Sequence, residues 1–191
     1  MASMNMQRAS LIRSLLFTAG FFCQSILAFG EVLEANLNGL QLKIDTDTGS
    51  IIQMSYPGVG EMLKTIPGRA SLLDVACPIP DFEPLRLASR FSSGAQIKKN
   101  DDSVTITWNN LGASRKVDPS KPSKGVRILF DKETGAYKEQ PVPASAYDLG
   151  GAVSAQVTLK ADPDGRSVLI SCSIDNKSKH SLRQVLFPDL F

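Results

Sequence analysis

Few side chains in this sequence have the types and spacing that chemistry needs. His180 is the only histidine, and it sits in a polar turn beside Lys177 and Lys179. A nucleophilic triad needs an imidazole held in a cleft by a third group. A lysine-flanked turn predicts a solvated ring instead. Most carboxylates also fall in turns, where chain geometry alone explains them. Glu61, Asp74 and Glu83 are the exceptions; a paired-acid site of the glycosidase kind depends on spatial rather than sequence proximity, and none is expected here. Asp45 and Asp47 belong to the turn Thr46-Asp-Thr-Gly-Ser50, which lacks the oxygen-ligand spacing of a calcium loop and is expected to be solvated. Two cysteines and one histidine beyond residue 30 are a thin set for zinc. No glycine-rich phosphate loop runs from a strand into a helix. The residues therefore name no catalytic group, metal site or cofactor, and whether the chain is an enzyme stays open.

Binding is the better-supplied alternative. Tyr56, Tyr137 and Tyr147 lie near turns and are the surface candidates for stacking on a sugar ring, although no spacing links them. Trp108, the only tryptophan, shares strand parity with Val104 and Ile106 and is expected in the core. The stretch 112–125 carries Arg115, Lys116, Lys121 and Lys124 among serines and prolines and reads as a solvated excursion.

Residues 1–30 have the form of a helical signal peptide. Arg8 and Arg13 make a positive start, Leu15–Leu27 is an apolar run, and Ala28-Phe29-Gly30 offers small residues for cleavage before Glu31. The apolar run is short for a bilayer core that needs about 20 residues, so no stable membrane insertion is expected after cleavage. Without Arg8 and Arg13 the remaining chain is formally neutral, with 19 acidic side chains matched by as many basic ones. A neutral body offers no basic stripe for phosphate, which argues against nucleic acid as a partner. Cleavage would also remove Cys23. Cys77 and Cys172 then remain, either as a disulfide in an oxidising compartment or as two buried thiols.

The elements that must position these residues are strands. Leu40, Leu42 and Ile44 alternate with Gln41, Lys43 and Asp45, and the chain returns through Ile51–Tyr56. Leu72–Cys77 and Leu85–Phe91 read as short strands, and Ala95–Lys99 with Val104–Trp108 as a hairpin around Asn100-Asp-Asp-Ser103. Val126–Phe130 is another strand, and residues 140–151 read as a loop. The clearest alternation is in the last third: Val153–Leu159, the turn Asp162-Pro-Asp-Gly165, then Arg166–Asp175, with Leu182–Phe187 as a third strand in succession. Many short antiparallel strands and no convincing helix after residue 30 predict an all-β antiparallel β-sandwich over residues 31–191.

Two segments carry a resemblance. The run Gly39-Leu-Gln-Leu-Lys-Ile-Asp-Thr-Asp-Thr-Gly-Ser-Ile-Ile52 resembles the opening hairpin of the galactose-mutarotase-like supersandwich domains that precede the catalytic barrel in many bacterial glycoside hydrolases. Asp164-Gly-Arg166, Ile174-Asp-Asn-Lys-Ser178 and Gln184-Val-Leu-Phe-Pro188 resemble a later strand–turn–strand of the same domains. Together these segments cover about a third of the chain after residue 30. The resemblance implies a supersandwich-like module left incomplete at its C-terminus, with a downstream catalytic domain as the expected partner and a glycan as the expected ligand. The family's catalytic histidines and glutamate match no position here, and His180 inherits no role. The resulting expectation is a secreted or cell-envelope, non-catalytic module associated with glycoside hydrolases. The alternatives are a structural or adhesive envelope protein acting through strand edges, and a small mutarotase-like enzyme.

Overall fold

The structure is a computed structural model that describes residues 31–66, 68–79, 84–115, 126–141 and 148–190. The signal-peptide segment, Glu83, Tyr147 and most of the basic stretch 112–125 lie outside these residues. Among the described residues the fold is all-β and antiparallel, with one 3-10 turn at Ser89–Phe91 and no helix long and apolar enough to cross a membrane.

The first sheet is a meander of β1 (Val32–Leu37), β2 (Leu40–Asp45), β3 (Ile51–Tyr56) and β4 (Gly60–Lys64). Asn38 and Gly39 both take positive φ, 49° and 85°. This is the backbone that a two-residue hairpin loop demands and that an Asn-Gly pair supplies at low cost. Leu37 and Leu40 close the ladder on either side of it. Alternation then buries Ala35, Leu37, Leu42 and Ile44 and leaves Glu34, Asn36, Gln41 and Lys43 on the outer face.

The second sheet places β5 (Asp74–Cys77) between β6 (Leu85–Ala88) and β14 (Gln184–Leu186), with β9 (Gly112–Ala113) beyond β6. Every residue of β5 is buried. The third sheet runs β13 (Val168–Asn176), β12 (Val153–Ala161), β8 (Ser103–Trp108), β7 (Gln96–Lys99). Inward residues of all three sheets, among them Leu42, Ile44, Val75, Leu87, Ile106, Trp108, Val157 and Leu159, meet in one core. That common core gives the molecule its sandwich-like layering. The hairpin of β10 (Val126–Asp131) and β11 (Ala136–Pro141) pairs with no other strand among the described residues.

Three expectations change. The third strand of the final stretch does not follow β13 in its sheet: β14 leaves and pairs with β5. Its sequence, Gln-Val-Leu, is too short to carry a register signal, so its destination is set by where the chain can reach. Gln140 and Pro141, read as the start of a loop, instead end a strand over Ala136–Pro141, because Asp131-Lys-Glu-Thr-Gly135 folds β11 back onto β10. Asp45 is buried rather than solvated. Its Oδ1 accepts the Asp47 N–H at 3.0 Å, which turns the chain sharply beneath the core.

Candidate functional site

A groove of about 580 Å³ lies on the outer face of the first sheet. Strand register builds it. Glu34 stands opposite Lys43, which stands opposite Gln53; Asn36 stands opposite Gln41, which stands opposite Ser55. Two cross-strand rows of polar side chains therefore share one face, and Lys99 closes one side from β7. Lys99 Nζ donates to the Glu34 carbonyl oxygen at 2.8 Å, which ties the third sheet to the first at the groove. Lys43 pairs with the Glu34 carboxylate at 3.2 Å. Ser55 donates to Gln41 Oε1 at 3.1 Å, and Gln53 Nε2 donates to Glu61 at 2.9 Å. These bonds orient the amides and leave the Gln41 amide nitrogen and the Gln53 amide oxygen to meet a ligand. Planar amides, a hydroxyl, two amines and one carboxylate form a donor–acceptor surface suited to vicinal hydroxyl groups. It contains no general base aligned with a nucleophile.

A smaller hollow of about 220 Å³ lies on the outer face of the third sheet, among Thr107, Asn109, Ser154, Gln156, Ser173 and Asp175. Its residues are short and its floor is a flat ladder, so it grips less.

A second polar cluster is buried in the second sheet. Asp74 is 1% exposed and receives Arg86 in a two-pronged contact, Nε at 3.0 Å to Oδ1 and the terminal nitrogen at 2.9 Å to Oδ2. Arg90 adds a bond at 3.1 Å to Oδ2 and lies over the Phe91 ring. Asp189 is also buried, with its backbone N–H bonded to the Leu72 carbonyl oxygen and its carboxyl reaching Ser71. Burial first, and the neighbouring Asp74 charge second, push its pKa up against the pull of Arg90, Ser71 and Arg86. Ser71, Ser89 and Ser50 continue inward as a chain of buried hydroxyls at 3.2 Å steps. Ser89 Oγ accepts the Leu72 N–H at 2.7 Å. Two acids thus come together, but both are sealed. A glycosidic bond must lie between catalytic carboxyls, and here two guanidinium groups occupy Asp74. The Asp189 bonds hold the segment after β14 to Ser71 and Leu72, just before β5.

The sequence candidates are dispersed. Tyr56 ends β3 on the side opposite to Ser55, half-buried, with its ring against Gly39, where an added Cβ would meet a ring carbon at 3.2 Å. It lies outside the groove lining. Tyr137 is strongly exposed on β11 and packs its ring against Phe130 at 5.3 Å between centroids, in the separate hairpin. Trp108 is in the core, its indole N–H donating to the Thr48 carbonyl oxygen at 2.8 Å. His180 is half-buried and its Nε2–H donates to the Asp148 carbonyl oxygen at 3.1 Å, a turn-fixing bond. Glu61 is exposed and bonds Gln53 and Lys64. Cys77 in β5 and Cys172 in β13 are free thiols in different sheets, each with its pKa raised by burial. Among the described residues no three His, Cys, Asp or Glu side chains gather to hold a metal.

Sequence reading missed the groove residues and Asp189. Gln41 and Lys43 were visible as the outward half of an alternating strand. Their neighbours Gln53, Ser55, Glu34 and Asn36 join them only through register, which single-strand patterns do not carry. No family model matches the chain, and no curated protein or solved structure matches it.

Proposed function

We propose that the chain is an exported, non-catalytic β-sandwich module that binds carbohydrate in the groove on its first sheet. The observation that carries this reading is the groove itself, where Asn36, Gln41, Lys43, Gln53 and Ser55 stand in two cross-strand rows beside Glu34 and Lys99. Amide and hydroxyl donors at strand spacing pair with ring hydroxyls, and the hydrogen-bonded frame around them limits the ordering cost on binding. Two lysines against one glutamate leave a modest positive excess, which favours sugars that carry carboxylates as well as neutral ones. The signal-peptide pattern of residues 1–30 supports export. The resemblance of residues 39–52 and 164–188 to supersandwich domains supports an association with glycoside hydrolases. A glycan array that includes uronate-containing oligosaccharides tests this. Retention of one glycan class supports the reading, and an array without signal at any glycan removes ligand binding and leaves a scaffold.

A second reading, a structural or adhesive protein acting through protein contacts, is favoured by the hairpin β10–β11. It leaves Ile128, Leu129, Phe130 and Tyr137 exposed on a two-stranded ribbon, and large exposed apolar patches mark interaction surfaces. Pull-down partners lost on Phe130→Ser/Tyr137→Ser, with glycan binding intact, would separate this role from the first.

A further inference from the structure

The most exposed pairing surface of the molecule is the outer edge of β13. At nine residues it is the longest strand that ends a sheet. The other edge strands have two to six residues. The ladder with β12 fixes which backbone groups face out. The Asp162 N–H donates to the Ser167 carbonyl at one end, and the Lys177 N–H to the Ala152 carbonyl at the other. Antiparallel alternation between these bonds directs Leu169, Ser171, Ser173 and Asp175 toward β12. The N–H and C=O groups of Val168, Ile170, Cys172, Ile174 and Asn176 therefore point to the open side, where no described residue bonds them.

Natural edges are usually blunted by lysine, proline or a bulge. β7 carries Lys98 and Lys99, and β4 carries Glu61 and Lys64, whereas β13 has neither proline nor lysine and no bulge along its register. Its inward row is also unfinished. Val168, Ile170, Cys172 and Ile174 are half-buried, while Val153, Val157 and Leu159 of the adjacent strand are fully buried.

We infer that β13 pairs antiparallel with β13 of a second copy of this chain, joining the third sheets of two molecules into one continuous eight-stranded sheet. The sequence of the strand selects this occupant. Pairing along the full length of Val168–Asn176 places Cys172, its midpoint, on the two-fold axis. Ile170 then stands opposite Ile174 of the other copy, and Ser171 opposite Ser173, so at the centre apolar meets apolar on the inner face and hydroxyl meets hydroxyl on the outer, while at the ends Val168 meets Asn176 and Leu169 meets Asp175. A register one residue away sets the apolar row of one copy against the polar row of the other. The two Cys172 residues form a hydrogen-bonded pair with Cα atoms about 5.5 Å apart. An isologous pairing of this kind closes on itself and does not polymerise.

Sedimentation or light scattering of the full chain tests the inference and is expected to give twice the chain mass. A short bis-maleimide, adding one thiol across each of its two ring double bonds, is expected to join two chains, with peptide mapping locating the link at Cys172–Cys172. The double variant Ser171→Lys/Ser173→Lys sets like charges opposite each other on exposed positions and is expected to give monomers with an unchanged fold by circular dichroism. Ser171→Lys/Ser173→Asp makes both cross-pairs complementary and is expected to restore the dimer. A wild-type chain that stays monomeric at high concentration overturns the inference. So does a dimer that survives Ser171→Lys/Ser173→Lys.

Discussion

At the scale of single residues, several positions leave little freedom. Gly49 has φ of 70°, and a Cβ there would lie 2.6 Å from Ile106 and 2.8 Å from the Trp108 ring. Gly49→Ala combines a left-handed backbone with overpacking and is expected to destabilise by about 3 kcal/mol in chemical denaturation. The Asp74 cluster gives an asymmetric prediction. Arg86 and Arg90 are 33% and 30% exposed, so after Asp74→Ala they can turn into water, at a cost of roughly 1–3 kcal/mol. Arg86→Ala/Arg90→Ala strands a carboxylate that is 1% exposed and is expected to cost more, about 3–5 kcal/mol. Equal losses in the two variants would contradict the assignment of burial to the acid. Asp189 acts with the opposite sign to most carboxylates. Its folded pKa is raised, so its contribution is fullest below the ordinary carboxylate range and declines as pH rises through the raised value. Asp189→Asn should remove that decline, measured as melting temperature against pH.

At the scale of elements, turns supply what sequence reading caught best. Asp164 receives the Arg166 and Ser167 backbone N–H groups at 2.7 and 3.0 Å and the Ser167 hydroxyl at 2.9 Å, which lowers its pKa. Asp131 and Asp148 are lowered too, Asp131 chiefly by Lys138 and Asp148 chiefly by the Gly150 N–H. Each stabilises its turn above the ordinary carboxylate pKa, and that stability is lost as pH falls through the depressed folded value. Asp164→Ala should therefore lower the melting temperature at neutral pH, with the difference from wild type shrinking in acid. The hairpins β2–β3, β7–β8 and β12–β13 were legible because period-2 alternation and turn residues are local signals. The placing of β14 beside β5 was not, because that pairing joins residues a hundred positions apart through three residues of weak pattern. β11 was missed because its exposed sequence, Ala-Tyr-Lys-Glu-Gln-Pro, has no apolar alternation to read. The groove was half legible, since each strand declares its polar face and only register unites the rows.

At the scale of the whole molecule, three sheets share one core and direct two different surfaces outward. The first sheet offers a polar groove framed by its own hydrogen bonds, and the third ends in an unblunted strand. The proposed binding and self-association use separate sheets, so Ser171→Lys/Ser173→Lys should leave ligand affinity per chain unchanged and alter only avidity. The buried acids are structural instead: Asp74 holds Arg86 and Arg90, and the Asp189 backbone N–H ties the segment after β14 to Leu72. The most direct measurement of the central claim is calorimetric titration of an oligosaccharide identified on the array into the wild type and Gln41→Ala/Gln53→Ala. Each lost hydrogen bond is worth about 1 kcal/mol, roughly fivefold in affinity, so the double variant should bind about 25-fold more weakly with its melting temperature unchanged. Undiminished affinity in that variant would contradict the groove as the binding site.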